Sequence, residues 1–90
     1  MSKKAMILEN PTQIQVSAII KFIKKRRKKR GISQNEMAIR LCITQNSYFK
    51  IEKEKTKLDL YRFIQISQIL EFNISELFLK YEYSDIPKKS

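Results

Sequence analysis

At 90 residues with 42% hydrophobic residues, the chain has material for one small domain around a single core. It carries 19 Lys+Arg against 9 Asp+Glu, a formal net charge of +10, with no His, no Trp, one Cys and one Gly. Those absences remove zinc-finger ligand sets, His-dependent nucleophile systems and glycine-rich phosphate loops, so no enzymatic activity, metal or cofactor is expected.

The two prolines, Pro11 and Pro87, lie near the ends, and helical periodicity runs almost throughout the chain between them. Residues 1–11 read as an N-terminal arm whose apolar run, Ala5-Met6-Ile7-Leu8, is too short for a signal peptide. The first helix is predicted from about Pro11-Thr12-Gln13, with Thr12 as cap and Gln15 completing a capping box. Val16, Ile19, Ile20 and Ile23 form its apolar stripe, and seven consecutive cations, Lys24 through Arg30, follow. Gly31 then supplies a left-handed helix stop. Ser33 and Glu36 form a second capping box, opening a helix with Met37, Ala38 and Leu41 on its inner face. After the turn at Cys42-Ile43, Thr44 caps a third helix to about Lys53, with Tyr48 and Ile51 directed inward. A basic loop, Glu54-Lys55-Thr56-Lys57, precedes the most apolar helix, from about Asp59 to Glu71. Leu60, Phe63, Ile64, Ile66, Ile69 and Leu70 cover more than half its circumference, marking it as the central core helix. Asn73 with Glu76 caps a short fifth helix anchored by Leu77 and Phe78. Beyond it Leu79, Tyr81 and Tyr83 alternate with Lys80 and Glu82, which suits a short terminal strand as well as a frayed helix. The fold class is all-α, a compact five-helix domain over residues 12–80 with a tail at 81–90.

The charge is unevenly placed. Residues 1–57 hold 15 Lys+Arg against 4 Asp+Glu, a net +11, whereas residues 58–90 hold 4 against 5, a net −1. A basic side suits a polyanion and a neutral side suits a protein. No stretch approaches the roughly 18 apolar residues of a membrane span. The lone Cys42 forms no internal disulfide, so a cytoplasmic protein with no membrane partner is expected.

Residues 34–53 combine two short helices with a tight connection. Such helices cross steeply, which calls for a small residue at the crossing, Ala38, and apolar residues Met37, Leu41, Ile43, Tyr48 and Ile51 around it. This is the helix-turn-helix arrangement, whose second helix presents its outer face to the DNA major groove. Gln45 and Asn46 open that helix, and an amide side chain can pair bidentately with adenine at about 1–3 kcal/mol of discrimination. Ser47 is placed for phosphate contact, and Gln34 starts the preceding helix, where free N–H groups favour an anion. Phe49 either meets a thymine methyl or packs on the first helix.

The pattern Arg27-x-x-x-Gly31-Ile32-Ser33-Gln34-x-Glu36-Met37-Ala38, then Ile43-Thr44-Gln45-Asn46-Ser47 and Ile51-Glu52, resembles the Xre, or Cro/cI-type, lambda-repressor-like DNA-binding family. The resemblance runs from about Ile19 to Phe78 and closes on Asn73-Ile74-Ser75-Glu76-Leu77-Phe78. It implies base reading by Gln45, Asn46 and Lys50, and phosphate binding by Gln34, which also braces the first base reader. Lys53, Lys55, Thr56 and Lys57 follow the recognition helix at positions where the family contacts phosphates. It further implies an Arg27–Glu52 ion pair tying the first helix to the third. Lys28, Arg30 and Lys24 are assigned to non-specific electrostatics, Lys28 at phosphate. Two positions depart from the family: Cys42 stands where glycine with positive φ is usual, and Arg26 where leucine is usual. Arg26 is expected either to lay its stem on the core with its charge in solvent, or to accompany a slightly rotated first helix.

These readings together predict a sequence-specific, dimeric DNA-binding repressor acting by steric occlusion of an inverted-repeat operator. Dimer contacts are expected from Phe72, Leu77, Leu79, Tyr81 and Tyr83, with strand pairing through Met6-Ile7-Leu8 as an addition. The setting is either a phage-type repressor or a toxin–antitoxin operon whose antitoxin binds a cognate toxin. Asn10-Pro11-Thr12-Gln13 resembles the opening of HipB-type antitoxins. The rival reading is a protein-interaction module that keeps the fold without specific DNA binding. A nuclear-localisation or membrane-surface role for the cation run would explain neither the helix spacing nor the amide-rich helix start.

Overall fold

The first helix begins where a proline meets a cap. The structure, a computed structural model, describes residues 10–81. The expected strand pairing at Met6-Ile7-Leu8, the dimer contact Tyr83 and the tail beyond residue 81 lie outside the described residues. Helix α1 spans Pro11–Lys29 and its cap is Asn10, not Thr12: Asn10 Oδ1 accepts from the backbone N–H of Thr12 at 2.8 Å and of Gln13 at 3.1 Å. Pro11 occupies the first helical position, where its missing N–H costs nothing and its φ is already helical, so the cap falls one residue before it.

Helix α2 covers Gln34–Leu41, α3 Gln45–Glu52, α4 Leu60–Leu70 and α5 Ile74–Lys80, with no strand among the described residues. Leu79 therefore belongs to a helix, and Tyr81 ends it. Each later helix is capped by the side chain that precedes it. Ser33 Oγ accepts from Glu36 N (3.0 Å), Thr44 Oγ1 from Ser47 N (3.0 Å), Asp59 Oδ1 from Arg62 N (2.7 Å) and Asn73 Oδ1 from Glu76 N (3.2 Å). The Glu36 carboxylate does not complete a box with Ser33 but takes Arg40 at 2.6 Å.

The first four helices also end alike. Gly31, Cys42, Glu54 and Glu71 adopt positive φ of 71°, 59°, 59° and 57°. The next residue's N–H reaches back five residues in each case, Ile32 to Arg27 (3.1 Å), Ile43 to Ala38 (3.0 Å), Lys55 to Lys50 (2.8 Å) and Phe72 to Ser67 (3.1 Å). Three of these left-handed positions carry a side chain, at a cost of about 1 kcal/mol each. Ile32, Ile43 and Phe72 offset part of that cost by folding back onto the core.

The core joins Ile19, Ile20 and Ile23 of α1 to Met37, Ala38 and Leu41 of α2, Tyr48 and Ile51 of α3, Phe63, Ile66 and Leu70 of α4, and Leu77 of α5. Helix α2 packs closely on α3, while α1 and α4 hold that pair from behind. Four residues expected inside are outside: Val16 near the start of α1, Leu60 and Ile64 on α4, and the expected anchor Phe78 on α5, at 40%, 69%, 38% and 44% exposure. The apolar circumference of α4 is wider than the single layer of helices that covers it, so its Leu60–Tyr61–Ile64 side faces outward.

Candidate nucleic-acid interface

Positioning of α3 begins with the turn before it. Cys42, in the left-handed conformation, reverses the chain, and Ile43 and Thr44 lead into the capped helix. Tyr48 and Ile51 pin one side of α3 into the core, leaving Gln45, Asn46, Ser47, Phe49 and Lys50 exposed on the other. The Lys53 ammonium lies 5.6 Å from the centre of the half-exposed Phe49 ring, so that ring forms part of the outer face of α3.

A buried polar network fixes the inner side. Arg27 grips Glu52 with two N–H groups, Nε to Oε2 at 2.7 Å and Nη2 to Oε1 at 3.0 Å, and its Nη1 donates to the Ile32 carbonyl at 2.8 Å. The Tyr48 hydroxyl donates to the same carboxylate, and Gln34 Nε2 adds a bond at 3.1 Å. One carboxylate thus ties α3 to α1 and α2 together. Burial acts to raise the Glu52 carboxyl, but hydrogen bonds from Arg27, Tyr48 and Gln34 outweigh it and hold it below the usual carboxylate range. Burial, reinforced by Glu52, pushes the Tyr48 phenol up. The hydrogen bond to Glu52 raises Arg27 against the opposing effect of burial.

Gln34 occupies the first position of α2, but its amide donates to Glu52 and no hydrogen bond joins it to Gln45. The brace that resemblance assigns to the first base reader is here a brace on the carboxylate that orients the whole helix. Ser47 Oγ accepts from Thr44 Oγ1 at 2.9 Å. Lys53, Lys55, Thr56 and Lys57 are all exposed in the loop after α3. Ser47 and Lys50 share a depression of about 300 Å³ with Thr56, Lys57 and Arg62, so the loop and the outer face of α3 converge.

The loop is itself tied down by contacts that the sequence did not signal. Glu54 Oε1 accepts from Gln13 Nε2 at 3.0 Å and from Ser17 Oγ at 2.8 Å, clamping the loop to the first half of α1. Neither partner carries a charge, so no charge pattern marks the contact.

The cation run is divided by role. Arg26 does not send its charge to solvent: Nε donates to the Leu70 carbonyl at 3.2 Å and Nη2 to the Glu71 carbonyl at 2.7 Å, capping the end of α4. Arg30 joins it through the Leu70 carbonyl at 3.4 Å and the Glu71 carboxylate at 3.1 Å. Arg30 is therefore not the free electrostatic contact expected of it. Lys28 is exposed on α1.

Of the expected dimer contacts, Leu77 is buried at 3% exposure, and Phe72 and Tyr81 pack against the core. Leu79 stands free at 66%, and Leu60, Tyr61, Ile64 and Phe78 are exposed as well. The Phe78 ring stacks on the buried Phe63 at 5.9 Å, which anchors α5 to α4 without covering Leu60, Tyr61 or Ile64.

Two short helices crossing through a left-handed turn, with the second held rigidly by its inner side and polar on its outer side, define a helix-turn-helix protein. A family model described as a helix-turn-helix domain matches residues 20–82, more than two-thirds of the chain, and the chain belongs to that family. No curated protein and no solved structure gives a significant match. No described helix is long and apolar enough to cross a membrane.

Proposed function

We propose that this protein is a sequence-specific, double-stranded DNA-binding transcription regulator of the Xre, or Cro/cI, type, acting as a dimeric repressor by covering its operator. The observation that carries the reading is the outer face of α3. Gln45 and Asn46 are exposed in its first turn and Lys50 one turn on, while Glu52 is clamped from behind. Base reading requires donors and acceptors held in fixed register, and amides on an immobilised helix supply them. Ser47, Lys53, Lys55, Thr56, Lys57 and Lys28 are proposed as phosphate contacts, with the second N–H of the Gln34 amide.

One such domain reads too few bases for selectivity, so a second copy is proposed to cover the exposed apolar residues of α4 and α5, Leu60, Tyr61, Ile64, Phe78 and Leu79. The region from residue 58 onward is close to neutral, at −1, which lets two copies of a +10 protein approach there. Repression within a phage or mobile element, or autorepression by an antitoxin with a toxin partner, both fit a regulator of this kind.

Selection of bound fragments from random duplex DNA tests the reading. The expected product is an inverted repeat with half-sites about 10 bp apart. Replacing Gln45 and Asn46 with Ala is expected to abolish the enrichment without lowering the melting temperature. Unchanged enrichment by that variant would remove α3 as the reader.

A further inference from the structure

A guanidinium grips a carboxylate or a phosphate with two parallel N–H groups. The chain has five arginines, and four commit theirs to a carboxylate or a helix end inside the protein. Arg27 sets Nε and Nη2 on Glu52, and Arg26 sets the same pair on the carbonyls of Leu70 and Glu71. Arg30 turns Nη1 and Nη2 to the end of α4, and Arg40 Nη2 takes Glu36. Arg62, in the first turn of α4, differs. It is half-buried, and its Nη1 donates to the Leu41 carbonyl and to Gln65 Oε1, both at 3.1 Å. It joins none of the three ion pairs among the described residues, and its Nε and Nη2 meet no acceptor there. Two bonds from one nitrogen fix the plane of the guanidinium, so its free edge is held in a set direction.

Arg62 borders the depression of about 300 Å³ that it shares with Ser47 and Lys50 of α3, Thr56 and Lys57 of the loop, and Asp59. Three cations, Lys50, Lys57 and Arg62, stand there against one carboxylate. That carboxylate, Asp59, is occupied as the cap of α4, its Oδ1 accepting from the Arg62 backbone N–H at 2.7 Å. Ser47 Oγ accepts from Thr44, which leaves its own O–H free to donate. The depression is thus net positive and supplied with donors. A helix with its side chains is about 10–12 Å across and the major groove about 12 Å wide, so a helix lodged there is flanked by both phosphate backbones. A depression bordering the outer face of α3 meets one of them.

We propose that Arg62 is a phosphate-binding residue, whose Nε–Nη2 edge clamps one DNA phosphate over the depression between α3 and α4, with Ser47, Thr56 and Lys57 as co-ligands. The assignment rests on α3 as the DNA-facing helix and adds to it a contact from α4, outside the helix-turn-helix unit. One side chain then braces both the phosphate and, through the Leu41 carbonyl, the end of α2 before the turn.

The test measures affinity of the full-length protein for a random-sequence duplex and for the enriched operator across a salt series. Arg62→Gln is expected to weaken both by a similar factor, about tenfold for one charge-assisted contact. It should also reduce the slope of log affinity against log salt by about 0.9, one phosphate contact. Arg62→Lys keeps a charge and should restore the slope, and melting curves check that each variant folds. Nuclear magnetic resonance of isotope-labelled arginine reads the wild type directly. The Arg62 Nε–H signal, assigned by its absence in Arg62→Lys, should shift on adding the random duplex, while that of Arg27 stays in place. An unshifted Arg62 signal, or unchanged affinity and slope in Arg62→Gln, overturns the proposal. Loss of operator preference with random-duplex affinity intact also overturns it, because an arginine acting only through the Leu41 carbonyl would behave that way. A wild type that binds random duplex but enriches no operator removes sequence-specific reading by α3, and the shift and slope at Arg62 still decide this contact.

Discussion

Removing Arg27 isolates the most heavily used carboxylate in the protein. The Arg27 and Glu52 side chains are 7% and 2% exposed, so the Arg27→Met variant leaves a carboxylate in the interior with only Tyr48 and Gln34 as donors. Breaking a buried pair from one side costs about 3–5 kcal/mol, because the remaining charge cannot regain water. Small domains have about 5–15 kcal/mol in total, and 1 kcal/mol shifts the midpoint by about 4–8 °C at this size, so the variant should melt roughly 12–40 °C lower. Urea and thermal unfolding followed by circular dichroism at neutral pH give the number directly. The combined variant Arg27→Met, Glu52→Leu, Tyr48→Phe removes every strong member of the network together and should recover at least about 2 kcal/mol of the loss, since apolar groups of similar volume can replace a buried pair. A single-variant cost under about 1 kcal/mol, or no recovery in the combined variant, would refute the reasoning that uncompensated burial of Glu52 sets the penalty.

Cys42→Gly should raise stability by about 0.5–1 kcal/mol in urea unfolding, because glycine adopts the observed φ of 59° without the steric penalty of a side chain. Arg26→Met should cost about 1–2 kcal/mol by the same assay, as the carbonyls at the end of α4 lose a charged donor. Because the Glu52 carboxyl is held low, its contribution is complete above the unfolded glutamate pKa of about 4.3 and is lost as pH falls below it. The Tyr48 phenol is raised, so its contribution is complete below the unfolded tyrosine pKa of about 10 and is lost as pH rises beyond it. Unfolding free energy measured against pH should therefore fall at both ends, and Tyr48→Phe should flatten the alkaline limb.

Two apolar residues at helical spacing on α4 show where sequence reading stops. Leu60 and Ile64 have the periodicity of core residues, yet they face outward because no helix lies over that side. Periodicity identifies a face, whereas burial depends on whether another element reaches it. The turns divide in the same way. Gly31 announces its positive φ, but Glu54 and Glu71 do not, since the cost of their left-handed backbone is met by contacts made elsewhere. The apolar residue that follows at Ile32, Ile43 and Phe72 is the local trace such turns leave.

The sequence by itself determined the five helices, the caps at Ser33, Thr44 and Asn73, and the outward placement of Gln45, Asn46 and Lys50. These rest on hydrogen bonds and periodicities that span four residues or fewer. Tertiary structure alone decided the fate of the cation run. Lys24 through Arg30 carry one sign and are contiguous in the chain, but Arg27 meets a carboxylate 25 residues away and Arg26 a carbonyl 44 residues away, whereas Lys25, Lys28 and Lys29 remain exposed on α1. A charge is visible in sequence; whether it is neutralised depends on a partner that only folding brings within reach.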